Sequence, residues 1–593
     1  MNEQNLLGYN RRDFLKTAGI GVAALSFAGA GLIRNANIAS AADLSQETID
    51  TDILVIGGGL AGSFAAVKAR EKGLDVTLAD KGHVGKSGLS PFWTHHTIFD
   101  PAYGIQKEEY ISELAKSEEY LTNRTYIEMW AENSKRIYEQ MVDWGMFTGV
   151  LNSRGPARRV QVEKAGVRLI ERTMRTSLFK RNGRVVGAIG FPMEEENKAI
   201  VINAKAVVMC ASAGTFKTPG WPGHSLTHDG DTMAYRIGAE VTGKEFVDYH
   251  AINSEDPGNY GGSGLETAVL VQPAVMARPA ISLANVQSTH AGYPFEGEVE
   301  GSGSRLTPLT SQGSQSRPAG GEMEVRPSGP GENSSRPAAR TSRVGGAAAG
   351  SSPHKCEGIV PQDDKCASSV PGLFAAGDGM CTYGALMDMG VSPSSMSAVE
   401  GERAGAAAAE YAMSVDKLSA SEKDVSRARE MMFAPRTRNQ GFSPRWITQV
   451  LQGLMVPYYV LSVKHEQRLK AALTTVEFLR DKFGPRLLAN DIHELRLVHE
   501  TGNMLLNAEM RLKAGLFRTE SRGTHFREDF PARDDDNWLA WVIIKLEGDK
   551  MTLTKKPIPE EWRPDAGLPY KDRYPHIRYI GEEEYLKGKG ITI

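Results

Sequence analysis

Cysteine is scarce in this chain: its 593 residues hold four, Cys210, Cys356, Cys366 and Cys381, and none stands in a C-x-x-C pair. That spacing argues against a chain-borne iron–sulfur cluster and against a disulfide framework. A surplus of either charge is missing too. Lys and Arg number 69 and Asp and Glu 72, a net charge of −3, so the chain has no electrostatic footprint for nucleic acid. The mild apolar run from Ala18 to Ile33 is glycine-rich and, at 16 residues, falls short of the roughly 20 that a membrane-spanning helix needs. Aromatic residues are absent from the whole of 301–352, which holds 11 Ser, 10 Gly, 6 Arg and 5 Pro. Such a stretch cannot bury enough apolar area to offset its ordering entropy and reads as a disordered or poorly packed insert. A genuine insert and a local shift of the reading frame both account for it.

What is present starts with length, which at roughly 150 residues per domain predicts several domains or one large interrupted one. The apolar run near the N-terminus has telling flanks. Arg11 and Arg12 precede it, followed by Phe14, Leu15 and Lys16, and Ala39-Ser40-Ala41 closes it. Residues 1–41 therefore read as a removable export signal that resembles the twin-arginine class, which moves folded proteins. The expected location is periplasmic or otherwise extracytoplasmic, with no stable membrane span.

"TDILVIGGGLAGSFAAVKAREKGLDVTLADKG" then reads as strand, glycine turn, helix and second strand, the opening of a parallel α/β sheet. Gly57, Gly59 and Gly62 satisfy G-x-G-x-x-G directly after the apolar strand, and Asp80 lies 18 residues beyond the last of them. Glycines there let a pyrophosphate approach the backbone at a helix N-terminus, and the acid can accept from ribose hydroxyls. Residues 107–145 read as helical. Residues 166–209 read as strands with an Asn182-Gly183 hairpin, the last strand returning to the first sheet. The periodicity of 416–520 predicts a separate helical region, and the proline- and charge-rich tail from Phe530 is expected to wrap the surface.

A second strand-to-glycine element, "GLFAAGD", stands far downstream. One such unit would satisfy NAD. FAD is longer, and its ribityl chain and flavin ring need a second site. Asp378 can meet ribityl hydroxyls, and a helix N-terminus near Ser394 and Ser395 can face the pyrimidine edge of the flavin. The competing reading of this element is a plain strand-to-helix turn with a capping acid.

Four stretches together, "DILVIGGGLAGSFAA…VTLADKG", "HDGDTMAYRIGAEVTGKEFVDYH", "GIVPQDDKCASSVPGLFAAGD…GERAGAAAAEYA" and "RTESRGTHFREDFPARDDDNWL", resemble the flavoprotein family of fumarate reductase, succinate dehydrogenase and L-aspartate oxidase. "AAGDG" and "DDDNWLAW" are also similar to the adenylylsulfate reductase branch. The resemblance implies FAD bound at Gly57, Gly59, Gly62, Asp80, Ser87 and Asp378. Members with covalent flavin have a histidine after the serine matched by Ser87; Gly88 stands there, which implies non-covalent FAD. His250 and His354 match histidines that contact a substrate carboxylate, the alternative for each being a structural histidine. His83, His95 and His96 read as surface or hydrogen-bonded residues. The family's carboxylate-clamping arginine would fall within "GALMDMG", yet no arginine occurs between Pro371 and Arg403. The charged run from Arg518 to Arg533 reads as ion pairing that docks the helical region.

The expected fold class is α/β: a Rossmann-like two-segment FAD-binding domain (50–250 and 354–415), an inserted α+β capping domain (251–353) and a C-terminal helical domain with its tail (416–593). The expected function is hydride transfer between flavin and an activated C=C or CH–CH bond of a small organic acid or polar molecule, with a separate iron–sulfur, haem or quinone-linked electron partner. An adenylylsulfate-reductase-like flavoprotein and a non-catalytic flavin electron carrier are the alternatives.

Overall fold

The computed structural model describes residues 31–34, 44–91, 95–104, 106–146, 154–211, 214–218, 223, 225–247, 249–251, 270–273, 351–353, 358–380, 391, 393–575 and 579–591. Of the 1–41 segment only 31–34 is among them, with the short strand Leu32–Arg34 antiparallel to Gln440–Phe442. His354, "GALMDMG" and all of the 301–352 insert except its last two residues lie outside the described residues.

Strand β1 (Ser45–Asp50) leads into β2 (Ile53–Ile56), the helix α1 (Leu60–Glu71) and β3 (Val76–Ala79). β2 and β3 are buried at every position, as central strands of a sheet covered on both faces must be. After β4 (His95–Ile98) come α2 (Lys107–Ser117), α3 (Arg124–Asp143) and α4 (Arg154–Lys164), which returns the chain to β5 (Arg168–Ile170). A hairpin of β6 (Thr173–Arg181) and β7 (Arg184–Pro192) turns at Asn182-Gly183 as expected, both residues at positive φ. β8 (Lys198–Asn203) and β9 (Ala206–Met209) follow, then the short helix α5 (Asp229–Arg236).

β10 (Leu373–Ala375) arrives from far along the chain and joins β9 in parallel register, giving a five-stranded parallel sheet of order β10-β9-β2-β3-β5. β1, β8, β7 and β6 form a second, four-stranded sheet. The long helix α6 (Pro393–Ser414) then crosses α1 at backbone contact distance. A Cβ on Gly401 would lie 2.3 Å from the carbonyl oxygen of Ala61, and one on Gly405 equally close to that of Ala65.

Helices α7 (Glu422–Phe433), α8 (Pro444–Met455), α9 (Glu466–Phe478) and α10 (Ile492–Phe517) form the helical region. It is not separate. Met432, Phe433, Leu495 and Leu505 share one core with Phe179, Ile189, Phe191 and Val201 of the four-stranded sheet. Helical periodicity reveals an apolar face but not what that face covers, and here it covers the second sheet. The tail also departs from expectation. Its β11 (Ala540–Glu547) and β12 (Lys550–Pro557) pair as a hairpin, and Val542 and Ile544 are fully buried in the core of the parallel-sheet domain. The apolar alternation of "AWVIIKLE" carries that signal, and the prolines and charges around it mask it.

Gly405→Val is expected to lower the unfolding free energy by about 1–3 kcal/mol, because the clash is with backbone that cannot rotate away. Chemical denaturation of purified protein measures it; a wild-type midpoint would contradict the close crossing.

Candidate functional site

The carboxyl edge of the parallel sheet holds both glycine elements that the sequence singles out. Gly57 leaves β2 at φ +106, and a Cβ on Gly62 would stand 1.8 Å from the Gly57 carbonyl oxygen, so the loop closes only with glycine at both positions. Gly59 differs. Its nearest neighbour to an added Cβ is the Ser90 hydroxyl at 3.3 Å, so the chain itself does not require glycine there. The space in front of it is what a pyrophosphate would fill. Ser90 Oγ also accepts from the Leu60 N–H at 2.9 Å, the first of the helix N-terminus, a role with no signal in the sequence.

Asp80, at the end of β3, is buried and ties the loop together. Its two oxygens accept from the Gly58 N–H at 2.5 Å and the Gly82 N–H at 2.6 Å. The remaining lone pairs leave it able to accept from a ribose hydroxyl. Ser87 is less directly placed: its hydroxyl donates to the His83 carbonyl at 2.7 Å and accepts from the His83 N–H, holding a turn. Gly88, at φ +75, has open space where a side chain would begin.

The second element comes to the same edge because β10 lies beside β9. Asp378 stands on a single 3₁₀ turn, Gly377–Gly379, which the buried Glu400 of α6 holds by accepting from the Gly377 N–H at 2.7 Å. Ser394 and Ser395 lie in the first turn of α6, and both are buried. Trp130 Nε1 donates to Ser395 Oγ at 2.6 Å, and His96 Nδ1 is 3.1 Å from Ser394 Oγ. These contacts fix the helix start between the two halves of the site. They also make His96 a hydrogen-bonded residue, while the exposed His83 lies 3.3 Å from Glu171. His95 is described in its backbone only.

His250 lies on the strand Tyr249–Ala251, antiparallel to Ser351–Pro353. Tyr249 is in register with Pro353 and His250 with Ser352. The His250 side chain and all of His354 lie outside the described residues. The segment feeding this strand is firmly held: Arg518 Nε donates to Glu245 at 2.9 Å, and the Val247 N–H donates to Thr524 Oγ1 at 3.1 Å.

That hold belongs to a buried charged block. Arg518 and Arg522 share Glu520 at 2.7 and 2.8 Å, Arg527 pairs with Asp529 at 2.6 Å, and Arg533 bridges Glu119 and Glu582 at 2.5 and 2.7 Å. The expected docking role is met, since these pairs join α10 to the sheet domain and the tail. Several groups in and around the block carry shifted titrations. Burial, helped by Arg527, draws the Lys464 ammonium down to about 7, and burial beside Lys464 and Arg527 pushes His525 well below its usual range. Burial also raises Glu245, against the pull of Arg518. Sequence reasoning misses Glu245 and Lys464 because their neighbours come from distant parts of the chain.

The residues fit an FAD: a glycine cradle at a helix N-terminus, an acid at the ribose end, and a second acid and helix start on the same edge. Gly59→Val is expected to fold with near wild-type apoprotein stability yet lose the flavin, whereas Gly62→Val destabilises the loop itself. Flavin absorbance and thermal unfolding of the apoproteins separate the two; retained flavin in Gly59→Val would contradict the assignment.

Comparisons with known proteins agree with this geometry. The FAD binding domain family matches residues 52–161, and the fumarate reductase flavoprotein C-terminal family matches 450–566. The chain is 24% identical to an uncharacterized FAD-dependent oxidoreductase of Methanocaldococcus jannaschii, over 85% of this chain and 98% of that one. It is 23% identical to one chain of the fumarate reductase (CoM/CoB) of Methanothermobacter marburgensis, over 84% of this chain and 98% of that one. Adenylylsulfate reductase of Archaeoglobus fulgidus shares the fold, with a TM-score of 0.64 at 18% identity over 88% of this chain and 98% of that one. The chain is an FAD-dependent oxidoreductase, similar in its FAD binding domain and its C-terminal region to the fumarate reductase and succinate dehydrogenase flavoproteins.

Proposed function

We propose that this protein transfers hydride between non-covalent FAD and an activated C=C or CH–CH bond of a small organic acid carrying a single carboxylate, or of a related polar molecule. The observation that carries the reading is the ladder of Tyr249–Ala251 with Ser351–Pro353. It registers Tyr249, the residue before His250, against Pro353, the residue before His354, so two segments far apart in the chain, each leading into a histidine, are joined by one ladder. On this reading both imidazoles donate to one carboxylate or carbonyl and favour the charge that develops there as hydride adds. The flavin supplies the two-electron chemistry. Glu245 and Val247, held by Arg518 and Thr524, fix the approach of the strand that carries His250.

The single-carboxylate limit rests on "GALMDMG", the stretch that the resemblance matches to a carboxylate-clamping arginine and that holds Met387, Asp388 and Met389 with no arginine. Methionine cannot replace the bidentate fork of arginine, and a buried unpaired carboxylate is costly. Electrons are proposed to come from a separate iron–sulfur, haem or quinone-linked protein; the similarity to one chain of a multi-chain fumarate reductase supports a partner of this kind. The twin arginines support export of the folded, flavin-loaded chain.

Stopped-flow reoxidation of the reduced flavin by matched mono- and dicarboxylic enoates tests the substrate reading. The monocarboxylate is expected to react faster, and a clear preference for fumarate would overturn it. With Arg11 and Arg12 both replaced by Lys, the precursor is expected to stay in the cytoplasm with flavin that acid precipitation releases. An unchanged periplasmic yield would count against the twin-arginine route, and flavin left in the pellet against non-covalent binding.

A further inference from the structure

Arg158, in the second turn of α4, is fully buried, and none of its three guanidinium nitrogens has a hydrogen-bond partner among the described residues. The contrast with the C-terminal block is sharp in kind: Arg518, Arg522, Arg527 and Arg533 are as deeply buried, and each meets carboxylates. An arginine taken out of water without an acceptor is destabilising, because its desolvation is not offset. Burial accordingly draws Arg158 down to about 10, with Asp80 opposing and a second buried cation, Arg154, adding to the fall. Asp80 does not neutralise it. The Asp80 oxygens are engaged with the Gly58 and Gly82 N–H groups, and none of the Arg158 nitrogens reaches them.

The place of Arg158 says what it lacks. α4 precedes β5, which runs parallel to β3, so the helix begins at the carboxyl edge of the sheet, where the phosphate loop opens. A Cβ on Gly155 would stand 1.8 Å from the Gly85 carbonyl oxygen, so the first turn of α4 is in backbone contact with the loop that follows Asp80. α4 also packs on α1, the helix whose N-terminus faces the phosphates. A cation held there, buried and unpaired, is matched by an anion delivered to the same edge.

We propose that Arg158 is the counter-charge of the FAD diphosphate, its guanidinium donating to phosphate oxygens. This rests on the FAD reading and adds to it a side-chain grip on phosphates that the glycine loop alone would hold through backbone N–H groups and the helix dipole. Two consequences follow. ADP, which carries the same diphosphate, depends on Arg158 as FAD does, and riboflavin, which has no phosphate, does not. Removing the charge also relieves the apoprotein of an unpaired buried cation while weakening the holoprotein.

The test uses the flavin-free full-length protein, with Arg158→Met and Arg158→Lys beside the wild type, titrated with FAD, ADP and riboflavin by calorimetry, and with the apoprotein melting temperature recorded. Arg158→Met is expected to weaken FAD and ADP by at least about tenfold, the usual worth of a hydrogen bond to a charged group, and to leave riboflavin unchanged. Its apoprotein is expected to melt at or above the wild-type temperature. Arg158→Lys, which keeps the charge but not the fork, is expected to fall between, and it carries the test if the Met variant does not fold. Wild-type affinity for ADP in the variants would overturn the proposal, as would an apoprotein destabilised with affinities unchanged, which is the signature of a purely structural arginine. Wild-type protein that binds no FAD at all would instead overturn the FAD reading on which the proposal rests.

Discussion

The flavin site depends on how closely α6 can approach α1. Its two halves lie on segments far apart in the chain, one around Gly57 and Asp80 and the other around Asp378. Gly401 and Gly405 remove the side chains that would stand between the helices, so the backbone of α6 meets the Ala61 and Ala65 carbonyls directly. With α6 seated, Glu400 reaches the Gly377 turn and Ser394 and Ser395 meet His96 and Trp130. The parallel pairing of β10 on β9 then puts Asp378 at the same edge as the glycine loop. Close packing of small residues thus sets the geometry on which the dinucleotide contacts depend.

Buried charge governs the second level of organisation. Lys81, one residue beyond the ribose acid, meets Asp229 at 2.7 Å and Glu500 of α10 at 3.0 Å, and Lys217 and Arg496 close on the same glutamate. Burial pushes Glu500 up, yet these three cations outweigh it and hold the carboxyl at about 2. Arg518 with Glu245, and Arg533 with Glu119 and Glu582, repeat the pattern at the other end of α10. Such pairs add little net stability, because desolvation offsets most of their attraction, but a mispaired partner leaves a bare charge in the interior. They select one docking of helices and tail on the sheet domain, and so one placement for the strand that bears His250. Arg158 departs from the pattern: it finds no acid among the described residues, which is why it points to a ligand.

The flavin loop is legible in the sequence because its determinants are local. Apolar strand, three glycines, helix and acid fall within one short stretch, and each residue acts through its immediate neighbours in the chain. The Asn182-Gly183 hairpin, the strand before Asp378 and the helix start at Ser394 are legible for the same reason. The charged run from Arg518 to Arg533 can be read as ion pairing, but not which acids it meets, since Glu119, Glu245 and Glu582 lie outside it in sequence.

Tertiary structure alone decided the remainder. It placed the helical region on the second sheet instead of leaving it apart, because periodicity defines an apolar face without naming its partner. It buried Val542 and Ile544 of a tail whose composition suggests a surface strap, because two strands of alternating residues need little length to enter a core. It brought the strand of His250 into register with the strand before His354, since a ladder between segments about a hundred residues apart leaves no trace in either one. And it left Arg158 buried and unpaired beside Asp80, in a segment, "SRGPARRVQVEK", that by composition alone is an ordinary solvated helix. Local chemistry writes itself into the sequence; burial and partnership between distant segments exist only once the chain has folded.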